Sequence, residues 1–150
     1  MRSRLLFLAF LASLVASAYG QSAKEMDALL EDPYVSIARA ARYVLPAAGV
    51  LPESVGESDA FQAALEKGWL PESARPESPI RMDQFSFLIM GAFSMKGGLM
   101  YSIFPGPRYA YRDLVFKSYI QGRSDPAQQL SGGRLVLVLG RILETREEAL

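Results

Sequence analysis

"ARPESPIRMDQFSFLI", residues 74–89, decides how this chain is read. Ser78 has the chemistry of a helix N-cap, and Pro79 suits a first helical position, where its missing N–H leaves nothing unpaired. Behind them Ile80, Phe85, Leu88, Ile89, Ala92 and Phe93 recur at three- and four-residue spacing. That spacing predicts a helix with one buried stripe and with Arg81, Asp83 and Gln84 toward solvent.

The same period extends outward in both directions. Upstream, "AFQAALEKG" (60–68) places Phe61, Ala64 and Leu65 on one face, with Ser58 or Asp59 as cap and Gly68 as stop. Before it, "YVSIARAARYVL" (34–45) aligns Ile37, Ala41, Val44 and Leu45. Asp32 and Pro33 read as its cap and first position, and Pro46 as its end. Residues 21–31 read as a polar lead-in with a frayed helical turn. Downstream, "YAYRDLVFKSYI" (109–120) turns Tyr111, Leu114 and Val115 inward. "RLVLVLGRILETREE" (134–148) lines up Leu135, Val138, Leu139 and Ile142. Its first seven residues would also fit a strand, but the pattern running on through Ile142 and Leu143 into a charged tail favours a helix. Residues 97–108, rich in Gly, Pro and aromatics, read as a structured connection with a short extended piece from Leu99 to Phe104.

The opening of the chain follows a different logic. "MRSRLLFLAFLASLVASAYG" sets Arg2 and Arg4 before an apolar run from Leu5 to Val15, then small residues. This is the pattern of a secretory signal peptide, and the run is too short for a membrane span of about 20 residues. No cysteine follows it, so the pattern of a lipid anchor is missing. Cleavage after Gly20 would remove two arginines from a chain with 16 basic and 16 acidic residues, leaving a slight acidic excess. Such a balance gives no general attraction to nucleic acid or anionic lipid, although a local basic patch is compatible with it. The expected location is the periplasm or the outside of a bacterial cell, with no stable membrane span after cleavage. Half of the chain is hydrophobic and 21% is charged, a globular balance. With no Cys, an exported chain must be held by its hydrophobic core and not by disulfides.

Shifting the chain by 50 residues aligns its two later helical pairs without a gap. Phe61 meets Tyr111, Trp69 meets Tyr119, Pro76 meets Pro126 and Ile80 meets Leu130. Phe85, Leu88, Ile89 and Phe93 meet Leu135, Val138, Leu139 and Leu143. A period of this size suggests stacked helix–loop–helix units, neither of which could bury its apolar face alone.

The unit "ALEKGWLPESARPESPIRMDQFSFLIMGAF" resembles an S-layer homology (SLH) repeat. In that family a helix ends in a glycine and a large apolar residue, a loop closes in Pro-Asp-x-Pro-Ile, and Thr-Arg-Ala-Glu-Phe opens a second helix. Gly68, Trp69, Pro76, Glu77, Pro79, Ile80 and Phe85 occupy the matching places. The likeness covers about thirty residues of the first unit and is weaker in the second. "GVLPES" (49–54) echoes "GWLPES" (68–73), so the segment 21–57 reads as a degenerate earlier unit. After the signal peptide over 1–20, the resemblance implies an all-α fold: an N-terminal helical segment over 21–57, one SLH-like repeat over 58–96, a connection over 97–108 and a second repeat over 109–150, the two repeats packed as a small helical bundle. It also implies a non-enzymatic cell-envelope protein that binds peptidoglycan or cell-wall polysaccharide. The alternative is an accessory or scaffold subunit of an envelope or motility complex that binds a protein partner without glycan contact. The family's Thr-Arg-Ala-Glu run reads here as Arg81-Met82-Asp83-Gln84, and in the second unit as Ser131-Gly132-Gly133-Arg134, so the arginines are displaced.

The chemistry available narrows the function further. With no His and no Cys, imidazole bases, thiol nucleophiles and the usual zinc sites are missing. No phosphate-binding, dinucleotide-binding or calcium-loop motif is present, and no cofactor or metal is expected. The acidic pairs Glu53/Glu57, Glu72/Glu77 and Glu147/Glu148 fall in loops or the tail, where solvated surface is the simpler reading than a glycosidase pair. The expected ligand-binding residues are Arg81, Arg108 and Arg112, with Trp69 and Tyr109 as apolar support. Arg108 and Arg112 stand four apart, so one helix face can aim two guanidinium forks at an anionic group. The competing reading is that the arginine stems cover half-buried aromatic rings.

Overall fold

The structure, a computed structural model, describes residues 22–148; the expected signal peptide lies outside the described residues. Seven helices follow in order, with no strand among the described residues. They are α1 (22–30), α2 (Ile37–Ala47), α3 (Glu57–Glu66), α4 (Met82–Ala92), α5 (Leu99–Ile103), α6 (Pro107–Phe116) and α7 (Gly132–Glu148). The helical reading of 134–148 therefore holds, whereas the short extended piece expected at 99–104 is a helical turn. The polar lead-in is a full helix rather than a frayed turn.

The arrangement is cyclic. Three loops meet where α2, α4 and α7 begin, and each gives one buried aliphatic residue to the axis: Val35, Ile80 and Leu130. Their backbones close a ring. Val35 N–H donates to the Leu130 carbonyl, Leu130 N–H to that of Ile80, and Ile80 N–H to that of Val35, all at 2.9 Å. A second tier lies beside it: the N–H groups of Ile37, Met82 and Gly132 donate to the carbonyls of Ser78, Gln128 and Asp32, again at 2.9 Å. These are the first residues of α2, α4 and α7. The first four N–H groups of a helix have no partner within it, and a buried N–H without one is costly. Each central helix is thus capped by the loop of another unit, and the three units close on one another.

This capping explains where the helices begin. Ser78 and Pro79 do not start α4, as their types suggest. Ser78 lies in a bend and Pro79 pairs with Ser36, and α4 begins at Met82 with Arg81 at the cap position. Likewise Ser36, not Asp32, caps α2: its hydroxyl accepts from Arg39 N–H at 3.1 Å. Gly56, not Ser58 or Asp59, precedes α3, and Pro46 lies inside the last turn of α2.

Helix ends repeat as well. After α2, α3, α4 and α6 comes a residue with positive φ: Gly49, Gly68, Ser94 and Ser118. The next residue then donates back into the helix, as Val50 does to Leu45 and Trp69 to Ala64, at 2.9 and 3.0 Å. This is the Schellman closure, in which the left-handed residue lets the last carbonyls find partners. The Gly68–Trp69 signal in the sequence has this physical content.

The core runs along α2, α4 and α7, with α3 packed on α2 and α6 on α4. Phe85, Leu88, Ile89, Leu135, Val138 and Ile142 are buried in it, while Leu139 is half-buried. Two residues depart from their expected faces. Asp83 is only 9% exposed, and Val115 faces outward. Trp69 packs on Gly91 of α4, where an added methyl would meet the indole at 2.3 Å. Gly140, inside α7, has nothing within 4 Å of such a methyl. Gly140→Ala is therefore expected to raise stability by about 0.5–1 kcal/mol through helix propensity, a gain that thermal melting will read.

Candidate functional site

The three junctions of the ring are flanked by grooves of different charge. In the first unit Arg39 bridges Asp32 at 2.8 Å and Glu57 at 3.2 Å. Hydrogen bonding to Glu57, helped by Asp32 and opposed by burial, holds the Arg39 guanidinium above its ordinary pKa. The groove beside it, between α2, α3 and the loop at Pro76, is lined by Glu57, Glu77, Gln62 and Phe61 and is acidic.

In the second unit the chemistry at the start of α4 is locked internally. Arg81 donates to both carboxylate oxygens of Asp83, at 3.0 and 2.6 Å. The same carboxylate accepts from Gln84 N–H at 2.8 Å, and Gln84 Oε1 accepts from Arg81 N–H at 3.1 Å. Hydrogen bonding to Asp83 outweighs burial and raises the Arg81 guanidinium. Asp83 is buried because it closes this fork and caps the first turn. The arginine place of the resembled motif is held by Met82, which is fully buried. In the other two units the equivalent places are Ile37 and Gly132, also buried. The axis is apolar where the resemblance implies a charge.

The third junction differs. A groove of about 390 Å³ lies between α7 and the loop before it, lined by Gln121, Ser131, Gly133, Arg134, Leu137 and Arg141, with Val138 at its base. Arg134 Nη2 donates to the Gln121 carbonyl at 3.2 Å, and Arg141 Nη1 to that of Tyr119 at 3.0 Å. Both guanidinium groups are oriented by neutral carbonyls, and no carboxylate lines the groove. Neither guanidinium faces a carboxylate in that lining, and guanidinium forks match carboxylate and phosphate geometry.

The sequence-predicted residues are distributed elsewhere. Arg81 is engaged by Asp83. Arg108 and Arg112 are exposed on the first turns of α6 and, among the described residues, make no side-chain hydrogen bond or ion pair. Tyr109 is half-buried beside them, and Trp69 lies on α4 with Lys67 Nζ 5.3 Å from its ring centroid. Sequence reasoning missed the Arg134–Arg141 pair. Their spacing of seven, two turns of one helix face, was the available signal. Among the described residues no group of three His, Cys, Asp or Glu could hold a metal ion, and no helix is long and apolar enough to cross a membrane.

The fold and grooves define a small all-α bundle built from three helix–loop–helix units. No family model, curated protein or solved structure matches the chain.

Proposed function

We propose that the chain is an exported, non-enzymatic module of the bacterial cell envelope that holds an anionic wall polymer, peptidoglycan or a cell-wall polysaccharide, in the Arg134–Arg141 groove. The observation that carries this reading is that groove's pair of guanidinium groups with no carboxylate in its lining. The S-layer homology resemblance supports it, as does the closed ring of three helix–loop–helix units. Arg81, Arg108 and Arg112, with Trp69 and Tyr109, stand as outlying contacts to the same polymer.

Cosedimentation with purified sacculi tests the reading. The parent is expected to pellet with sacculi, less so as salt rises, because contacts near the surface are screened. Arg134→Gln with Arg141→Gln should weaken binding by about tenfold or more, since each charged hydrogen bond is worth roughly 1.5–3 kcal/mol. Replacing both by Lys should restore only part, because Lys offers a point charge in place of a fork. Melting curves of the same variants separate lost binding from lost folding. A second reading, a scaffold subunit that binds a protein partner, is favoured by the buried Met82 at the motif's arginine place. It takes over if the folded parent leaves sacculi unbound.

A further inference from the structure

The connection between the second and third units carries an apolar surface that the polymer reading does not use, and it shares only the flanking Arg108 and Arg112 with that reading. None of the five residues of α5 is buried. Leu99 is 75% exposed, and Met100, Ile103 and Phe104 are exposed beside it. On α6, Phe116 is 88% exposed. An isolated exposed apolar residue needs no explanation, but a cluster of large ones marks an interaction surface.

The cluster is held firmly. Tyr101 meets the Phe87 ring edge-on, with centroids 6.5 Å apart. Gly98 N–H donates to Asp113 Oδ2 at 2.7 Å, and the Lys117 ammonium donates to the Lys96 carbonyl. A methyl at Gly97 would strike Tyr101 and Asp113. Segment 96–98 therefore lies against α6, and α5 projects from that anchor with its aliphatic side chains outward.

The charges around the cluster are mostly positive. From Gln84 to Leu143 the chain has seven basic residues and two acidic ones, Asp113 and Asp125, whereas residues 22–83 have six basic and eleven acidic. Between 97 and 107 there is no charged residue at all. Lys96, Arg108, Arg112 and Lys117 flank that uncharged stretch, and the one nearby carboxylate, Asp113, is already engaged by Gly98 N–H. Arg108, Arg112 and Phe116 follow at four-residue steps, along one outer face of α6.

We propose that this lip, α5 with the outer face of α6, docks on the surface of an anionic phospholipid bilayer. Leu99, Met100, Ile103, Phe104 and Phe116 enter the headgroup boundary, and the flanking cations meet lipid phosphates. Large apolar side chains on one surface with Lys and Arg at its rim are the composition of an interfacial anchor. A sugar polymer offers no partner for exposed Leu and Ile. A second copy of the chain in a two-fold contact would set the same cations against each other. The docking is peripheral and goes beyond the polymer reading without depending on it.

Flotation of the mature chain with vesicles tests the docking. One set is pure phosphatidylcholine; the other contains one third phosphatidylglycerol. The chain is expected to float with the second set and to stay below with the first. Leu99→Ser with Phe104→Ser should cut partitioning at least tenfold while the melting temperature holds, because both side chains are exposed. Arg108→Gln and Arg112→Gln should each lower it about fivefold. If the parent floats with neither set, or with both equally, or if the serine variant floats as the parent does, the proposal is overturned. Flotation without sacculus binding keeps the lip and removes the polymer reading; sacculus binding without flotation does the reverse.

Discussion

Gly132→Ala is expected to be among the most damaging single substitutions in this chain, although it adds only one methyl. That methyl would stand 1.6 Å from the Leu29 carbonyl oxygen and 2.6 Å from its carbon. The obstacle is backbone, so no rotamer change relieves it. Separation of α1 from α7 would also pull on the Gly132 N–H bond to Asp32 and on the ring bond from Val35 to Leu130, because all three lie at the same junction. Overpacking costs typically about 1–3 kcal/mol and more when backbone must move, so a loss of about 3 kcal/mol or more is expected. Denaturant titration reads this as a lower midpoint at unchanged slope. Gly133→Ala is the control. Its methyl would lie 3.9 Å from the Leu30 carbonyl, an ordinary contact, and helix propensity then favours the alanine by about 0.5–1 kcal/mol. If the two variants unfold alike, the Leu29 carbonyl does not press on Gly132 as the structure places it.

Phe85→Ala should cost about 3–5 kcal/mol and Leu88→Ala about 2–5 kcal/mol. Both side chains are fully buried on α4, the helix that packs on α2 and α6. Truncation there removes apolar contact and leaves a void that rigid neighbours fill only in part. Set against a total stability of roughly 5–15 kcal/mol, either loss would populate the unfolded state markedly on warming. Leu137, 59% exposed on α7, gives the contrast: Leu137→Ala should change stability by under about 0.5 kcal/mol. A Phe85→Ala loss below about 1 kcal/mol would contradict the burial of α4.

Much of this fold is legible in the residues because helical periodicity is a local property. The stripes from Phe85 to Ala92 and from Leu135 to Ile142 read as helices before any packing is known, and both are buried as their spacing requires. The Gly68–Trp69 stop is legible for the same reason: the left-handed residue and the donor after it close on their own helix. Even the register between the second and third units was visible, since Ile80 and Leu130 take equivalent places in the ring. The first unit is an equal partner in that ring, yet Asp32 and Pro33 read there only as an ordinary helix start, and nothing in residues 33–37 marks Val35 as a ring residue.

The candidate site was far less legible. Arg81 was read from its position beside a motif, but its role is decided by Asp83, two residues on, which leaves solvent to receive it. Arg134 was read as a displaced motif arginine and Arg141 only as part of an amphipathic helix. What sets them apart is that no carboxylate lines their groove, which depends on the loop from Tyr119 to Gln121 crossing α7. The five residues of α5 gave no usable period, because a single turn is too short to distinguish helix from extended chain.

By itself, the amino-acid sequence determined that this chain is helical, that α3 stops at Gly68, and which faces the longer helices bury, because each of those properties is settled within a few neighbouring residues. Only the tertiary structure decided where α2, α4 and α7 start and that three units close into a cycle. Those outcomes rest on backbone N–H groups finding carbonyls in another unit, at Ser78, Gln128 and Asp32, and a backbone hydrogen bond across the chain leaves almost no trace in side-chain identity.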